Sequence, residues 1–179
     1  MLTDAQRQHL GTVVRTMQII VGALAWGVLM FMGAVLFISL DPAGGGQPGV
    51  PLLTYLAVGT AAVAIAAAMI VPGMIADRQA RSIAARPIPP AADELGDVLP
   101  LSAVYQTRLI MRAAILEGAA FFNLVAYMLE RRPLCLGAAV VLLLLISAQF
   151  PTRSRVEEWF DSELTTVAQM RQMRSANVG

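Results

Sequence analysis

The chain has no lysine, one cysteine and one histidine, and charged residues make up only 14% of its 179 residues. Each shortage excludes something. The lone Cys135 can form neither an intrachain disulfide nor a cysteine metal cluster, and reads as a small apolar packer. His9, in the polar N-terminal segment, has no second histidine to share a metal with and reads as a solvated surface residue. Glycine-rich phosphate loops, metal-binding histidine pairs and nucleophile elbows do not occur. The expectation is a protein that is not an enzyme and needs no cofactor. Thirteen arginines nearly balance twelve acids, leaving a net charge of +1, which gives no electrostatic footprint for nucleic acid.

What the chain has instead is apolar sequence, 57% of it, gathered into runs. Four stand out, at about 17–40, 52–76, 109–129 and 134–150. A spanning helix needs ~20 residues, so the first two are comfortably long and the last sits at the short limit. Backbone groups in lipid must be satisfied within their own segment, which makes these runs helices; a barrel would show ~10-residue alternating segments. The expected fold class is all-α, a polytopic membrane protein with four transmembrane helices over 1–150. Residues 151–179 follow as a soluble, amphipathic cytoplasmic helix. The first run is too long for a signal peptide and has no small-residue cleavage pattern before Asp41-Pro42, so a retained span is expected.

Local signals divide the chain further. Thr3 with Gln6 is a capping-box pattern, so a helix should start in water and run into the first span. Asp41-Pro42 and Gly44-Gly45-Gly46 end that span in a turn. The second run is built from small residues, and pairs such as Ala57/Ala61 and Ala62/Ala66 let another backbone approach closely. Pro72 and Gly73 lie near its end. A polar loop is expected over 77–104, extended by Pro87, Pro89 and Pro90. A tight hairpin at Glu130-Arg131-Arg132-Pro133 joins spans three and four. In the tail, Ser154 with Glu157 forms a second capping-box pattern. Val156, Trp159, Phe160, Leu164 and Val167 share one helical face. Acids on the opposite face argue against adsorption to anionic lipid, so this face is expected to pack on protein.

Arginine placement gives the orientation. The 41–51 loop has none, whereas Arg78, Arg81, Arg86, Arg108 and Arg112 surround the central loop, and Arg153 and Arg155 follow span four. Positive-inside counting puts both termini and the central loop in the cytoplasm, in an inner membrane. Arg131 and Arg132 fall on the other side and are outvoted.

Two polar residues inside span three are the candidate functional residues. Glu117 lies eight residues into 109–129, roughly 12 Å at the helical rise and close to mid-membrane. A carboxylate at that depth is costly and marks a functional or packing site. Arg108 and Arg112 are nine and five residues away, and helical neighbours are three or four apart, so neither shares its face. A partner on another helix, or a proton, must neutralise it. Asn123 is about 120° around the same helix and addresses a different neighbour, as a hydrogen-bonding contact between helices. Gln18 and Gln149, near span ends, read the same way.

Tyr55–Ala76, Ala85-Arg86-Pro87 and the stretch Ile110 to Phe122 around Glu117 together resemble the helical hairpin of the rotary ATP synthase proteolipid, subunit c. The resemblance implies that Glu117 is a proton- or sodium-binding carboxylate and that Arg86-Pro87 is the cytoplasmic loop. It covers residues 55–129 only. Alanine replaces most of the family's glycine ladder, the loop is longer, and spans one and four and the tail have no counterpart. The leading expectation is therefore a non-enzymatic helix-packing or complex-assembly protein, embedded in the bilayer as a homo-oligomer or within a membrane complex. The alternative is a proteolipid-like coupling subunit using Glu117.

The orientation has a direct check. In intact cells, cysteine placed at Gly45 should react with an impermeant thiol reagent and cysteine at Ala92 should not. Labelling at Ala92 contradicts the assignment.

Overall fold

The computed structural model describes residues 3–39, 52–84 and 97–176. Within them are five helices: α1 (Asp4–Ser39), α2 (Leu52–Ala84), α3 (Val98–Glu130), α4 (Pro133–Ser147) and α5 (Arg153–Ala176). No strand occurs among the described residues. Three helices are long and apolar enough to cross a membrane: α1, the Leu52–Ala76 part of α2, and α3. The fourth apolar helix, α4, has 15 residues, about 22 Å of rise against a hydrocarbon core of about 30 Å.

The first three helices outrun the apolar runs that define them. The N-terminal capping box forms as the sequence implies, with Thr3 N–H donating to Gln6 Oε1 at 3.0 Å and Gln6 N–H to Thr3 Oγ1 at 3.3 Å. From there α1 is continuous to Ser39. At the other end of the expected loop over 77–104, α2 passes Pro72 and continues to Ala84, while α3 begins at Val98. The prolines Pro87, Pro89 and Pro90, the 41–51 loop and the pair Arg86-Pro87 lie outside the described residues.

The chain forms two compact units, each drawn from several helices. One comprises the described parts of Met1–Ile19, Val71–Leu109 and Pro151–Gly179. Its core joins Leu10 and Val14 of α1, Ala76 of α2, Val98, Leu101 and Val104 of α3, and Val156, Phe160 and Val167 of α5. Tyr105, Trp159 and Leu164 pack against it, and the rings of Tyr105, Trp159 and Phe160 meet tilted or edge-on with centroids 5.0–6.2 Å apart. The apolar face read from the tail is therefore covered by protein, and Val98–Val104, read as loop, is core. That misreading has a simple cause. Val98, Leu101 and Val104 follow helical spacing, but Pro100 and the acids before them mask the period. The tail's own capping box does not form. Because α5 begins at Arg153, Ser154 falls inside the first turn and Glu157 pairs with Arg153 at 2.8 Å.

The other unit comprises Ile20–Ile70 and Ile110–Phe150. Its interior is mostly small and β-branched residues, Val21, Val28 and Val35 on α1, Ala57, Ala61, Ala64 and Ala68 on α2, Ala113, Ala119, Ala120 and Ala126 on α3, together with Leu116, Leu124 and Leu142. Cys135 is fully buried against Ala57 and Ala126, in the packing role its isolation implies. Outside, large apolar side chains stand exposed, among them Trp26, Phe37, Tyr55, Val63 and Leu144. A protein in water buries such residues; hydrocarbon solvates them.

Candidate functional site

The polar groups of the apolar unit are few, and their partners differ. Asn123 is fully buried on α3. Its Nδ2 donates to Ala57 O on α2 at 3.0 Å and to Ala119 O, one turn back on its own helix, at 2.8 Å. Both neighbours are carbonyl acceptors, so the amide nitrogen must occupy this side, and Oδ1 is left buried without a partner. The bond to Ala57 is possible because position 57 is alanine and the two backbones come close there.

Glu130, at the end of α3, does a second piece of the same work, and the sequence reading passed over it as part of the hairpin. The carboxylate caps the amino end of α2, whose first N–H groups have no intrahelical partner. Leu53 N–H donates to Oε1 at 2.9 Å, Thr54 N–H to Oε2 at 2.8 Å, and the Thr54 hydroxyl to Oε2 at 2.5 Å. The α3–α4 turn aims it there. Arg131 takes the left-handed conformation at φ 53° and its N–H donates to Tyr127 O at 2.8 Å, a helix-ending geometry more usual for glycine. Arg132 then caps α4 in extended conformation, with Pro133 at the first helical position.

Glu130 lies one residue beyond the apolar run 109–129. Arg132 also acts on its carboxylate electrostatically. Arg132, one of the two arginines that orientation counting left unexplained, thus has an acid beside it.

Glu117 is half-buried on α3, one face away from Asn123, as the spacing implies. It faces α1 at a glycine: a Cβ added to Gly27 would stand 3.7 Å from Glu117 Oε1 and 4.0 Å from the Phe121 ring. Phe121 in turn meets Phe31 edge-on at 5.2 Å. Among the described residues no hydrogen bond or ion pair reaches the Glu117 carboxylate. Arg112 also has a buried Nε without a partner. The structure therefore brings Asn123 into a helix-to-helix bond and leaves Glu117 without one. Arg86 and Pro87, the loop candidates, lie outside the described residues.

The remaining polar contacts are peripheral. Gln18 Nε2 donates to Pro151 O at 3.0 Å, and Gln149 Nε2, just past the end of α4, to Leu145 O at 3.2 Å. His9, read as solvated, is partly buried with Nε2 3.4 Å from Ser102 Oγ. That hydroxyl already donates to Leu99 O at 2.7 Å, so His9 is the donor of the pair. An open, mainly apolar groove of about 530 Å³ is lined by Gly33, Leu36, Phe37, Ser39 and Tyr127. No group of three or more potential metal ligands occurs among the described residues. No protein-family model, curated protein or solved structure matches the chain.

The Glu130 cap is open to test by removing it. In detergent, Glu130→Ala, which leaves the Leu53 and Thr54 N–H groups without their acceptor, should melt below the wild type by the amount usual for a lost helix cap. Equal melting of the two proteins overturns the cap.

Proposed function

We propose that this is a multi-pass membrane protein with a non-enzymatic assembly role, whose polar residues serve to hold helices together and to meet a neighbour. The observation that carries this reading is the use made of Asn123, whose carboxamide is engaged with the α2 backbone and offers no free donor to a substrate. Glu130 is engaged in the same way at the end of α2. A second observation supports assembly. The small residues of α2 form two faces: Ala57, Ala61, Ala64 and Ala68 are buried within the chain, whereas Gly59, Ala62 and Ala66 are exposed. A small-residue face admits a close helix neighbour. In this proposal α4 is a short fourth span, both termini are cytoplasmic, and the membrane is the inner one, on the strength of arginine placement.

A second reading, an ion-coupling subunit like the ATP synthase proteolipid, is favoured by one fact. Glu117 has no partner among the described residues, and a carboxyl that must change protonation cannot be permanently bonded.

Two measurements separate the readings. Native mass spectrometry of the detergent-solubilised protein should show a species larger than the monomer; a monomer alone overturns the assembly reading. An apolar carbodiimide should leave Glu117 unmodified in that assembly. Labelling of Glu117 that slows as pH rises, together with loss of function in Glu117→Gln, favours ion coupling instead.

A further inference from the structure

Trp26 lies nine residues into the 17–40 run, roughly 14 Å from its start at the helical rise. Tryptophan in membrane proteins collects at the two interfaces, where its N–H meets water or headgroups. Here the indole is 62% exposed at mid-run, and among the described residues nothing accepts its N–H. On the next residue, Gly27, rests Glu117, an acceptor that also has no partner. An unmet donor and an unmet acceptor thus stand at one level of the apolar unit.

Their placement on the α1 surface decides what could satisfy both. Consecutive residues are about 100° apart on a helix, so Trp26 and Gly27 mark the two flanks of a strip that contains Ala23 and Met30. Both residues of that strip are exposed. Ala114, one turn before Glu117, is exposed as well. Ala23 and Ala114 keep the surface low enough for a close neighbour.

The geometry points to a second copy of this chain docked on the α1 strip by a twofold axis along the membrane normal. Such an axis keeps every residue at its own depth and sets the left flank of one copy against the right flank of the other. Trp26 of each protomer then meets Glu117 of its partner, twice per interface, the self-complementary pattern of an isologous contact. The indole N–H donates to a carboxyl oxygen, so each copy supplies the group that the other lacks. An unrelated membrane partner would have to supply both a donor and an acceptor at the same depth. This inference rests on the assembly reading and goes further in naming the partner and the seam.

The test is disulfide trapping of the full chain in native membranes, in a Cys135→Ala background. Ala23→Cys should yield a cross-linked homodimer. Val141→Cys, also exposed, on α4, should not. Trp26→Phe keeps the ring and removes the donor, and should weaken dimerisation roughly tenfold for two lost interhelical bonds. Glu117→Leu should do the same, whereas Glu117→Gln, which still accepts, should stay near wild type. A monomer by native mass overturns the seam and the assembly reading together. A larger species that fails to trap at Ala23, traps at Val141 or joins a different protein overturns the seam alone. Insensitivity to Trp26→Phe also overturns it.

Discussion

A polar side chain in hydrocarbon must find its partner in protein, because no water is there to accept or donate in its place. That constraint orders the apolar unit. Asn123 spends its amide on the carbonyl of Ala57, which fixes the register of α3 against α2 to within one residue. Glu130 closes the end of the same helix pair by taking the free N–H groups of the first α2 turn. Between these two points Ala57 and Ala126 bring the helices close beside Cys135. Such a surface packs closely but has little shape of its own to prevent sliding. The polar contacts supply the register that the small residues cannot.

The same constraint gives meaning to the groups it leaves out. Glu117 and Trp26 sit at one depth with no bonding partner among the described residues, whereas the Asn123 amide nitrogen and the Glu130 carboxylate have theirs. The positions of the two groups, both reachable from outside the apolar unit, turn them toward a neighbour. The two functional readings differ in what that neighbour is: another protein surface, or an ion exchanging with the carboxyl.

Much of this was legible in the sequence, for reasons that can be named. The apolar runs specified the helices because lipid permits little else, and the Thr3–Gln6 box marked the start of α1. The spacing of Glu117 and Asn123 placed them on different faces of one helix, which is how they stand. The tail face from Val156 to Val167 signalled burial by its period. Other features were not legible. The start of α3 before its apolar run goes with the core that Val98, Leu101 and Val104 build with α5, and hydropathy does not record that contact. The α5 start lies two residues before the one that a Ser154 cap implies, and Glu157 pairs with Arg153 instead. Glu130 looked like hairpin because its partners lie 76 and 77 residues away. The signal was present nonetheless: an acid at the last position of an apolar run, beside two arginines, can cap a neighbouring helix.

The central claim is that a side chain of α3 completes the first turn of α2. Amide hydrogen exchange at Leu53 and Thr54 measures this most directly, because N–H groups in a first helical turn are otherwise open to water. The account predicts that both amides are protected in the wild type and exchange freely in Glu130→Ala while amides in the middle of α2 stay slow. Rapid exchange at both positions in the wild type, or protection that survives Glu130→Ala, would contradict it.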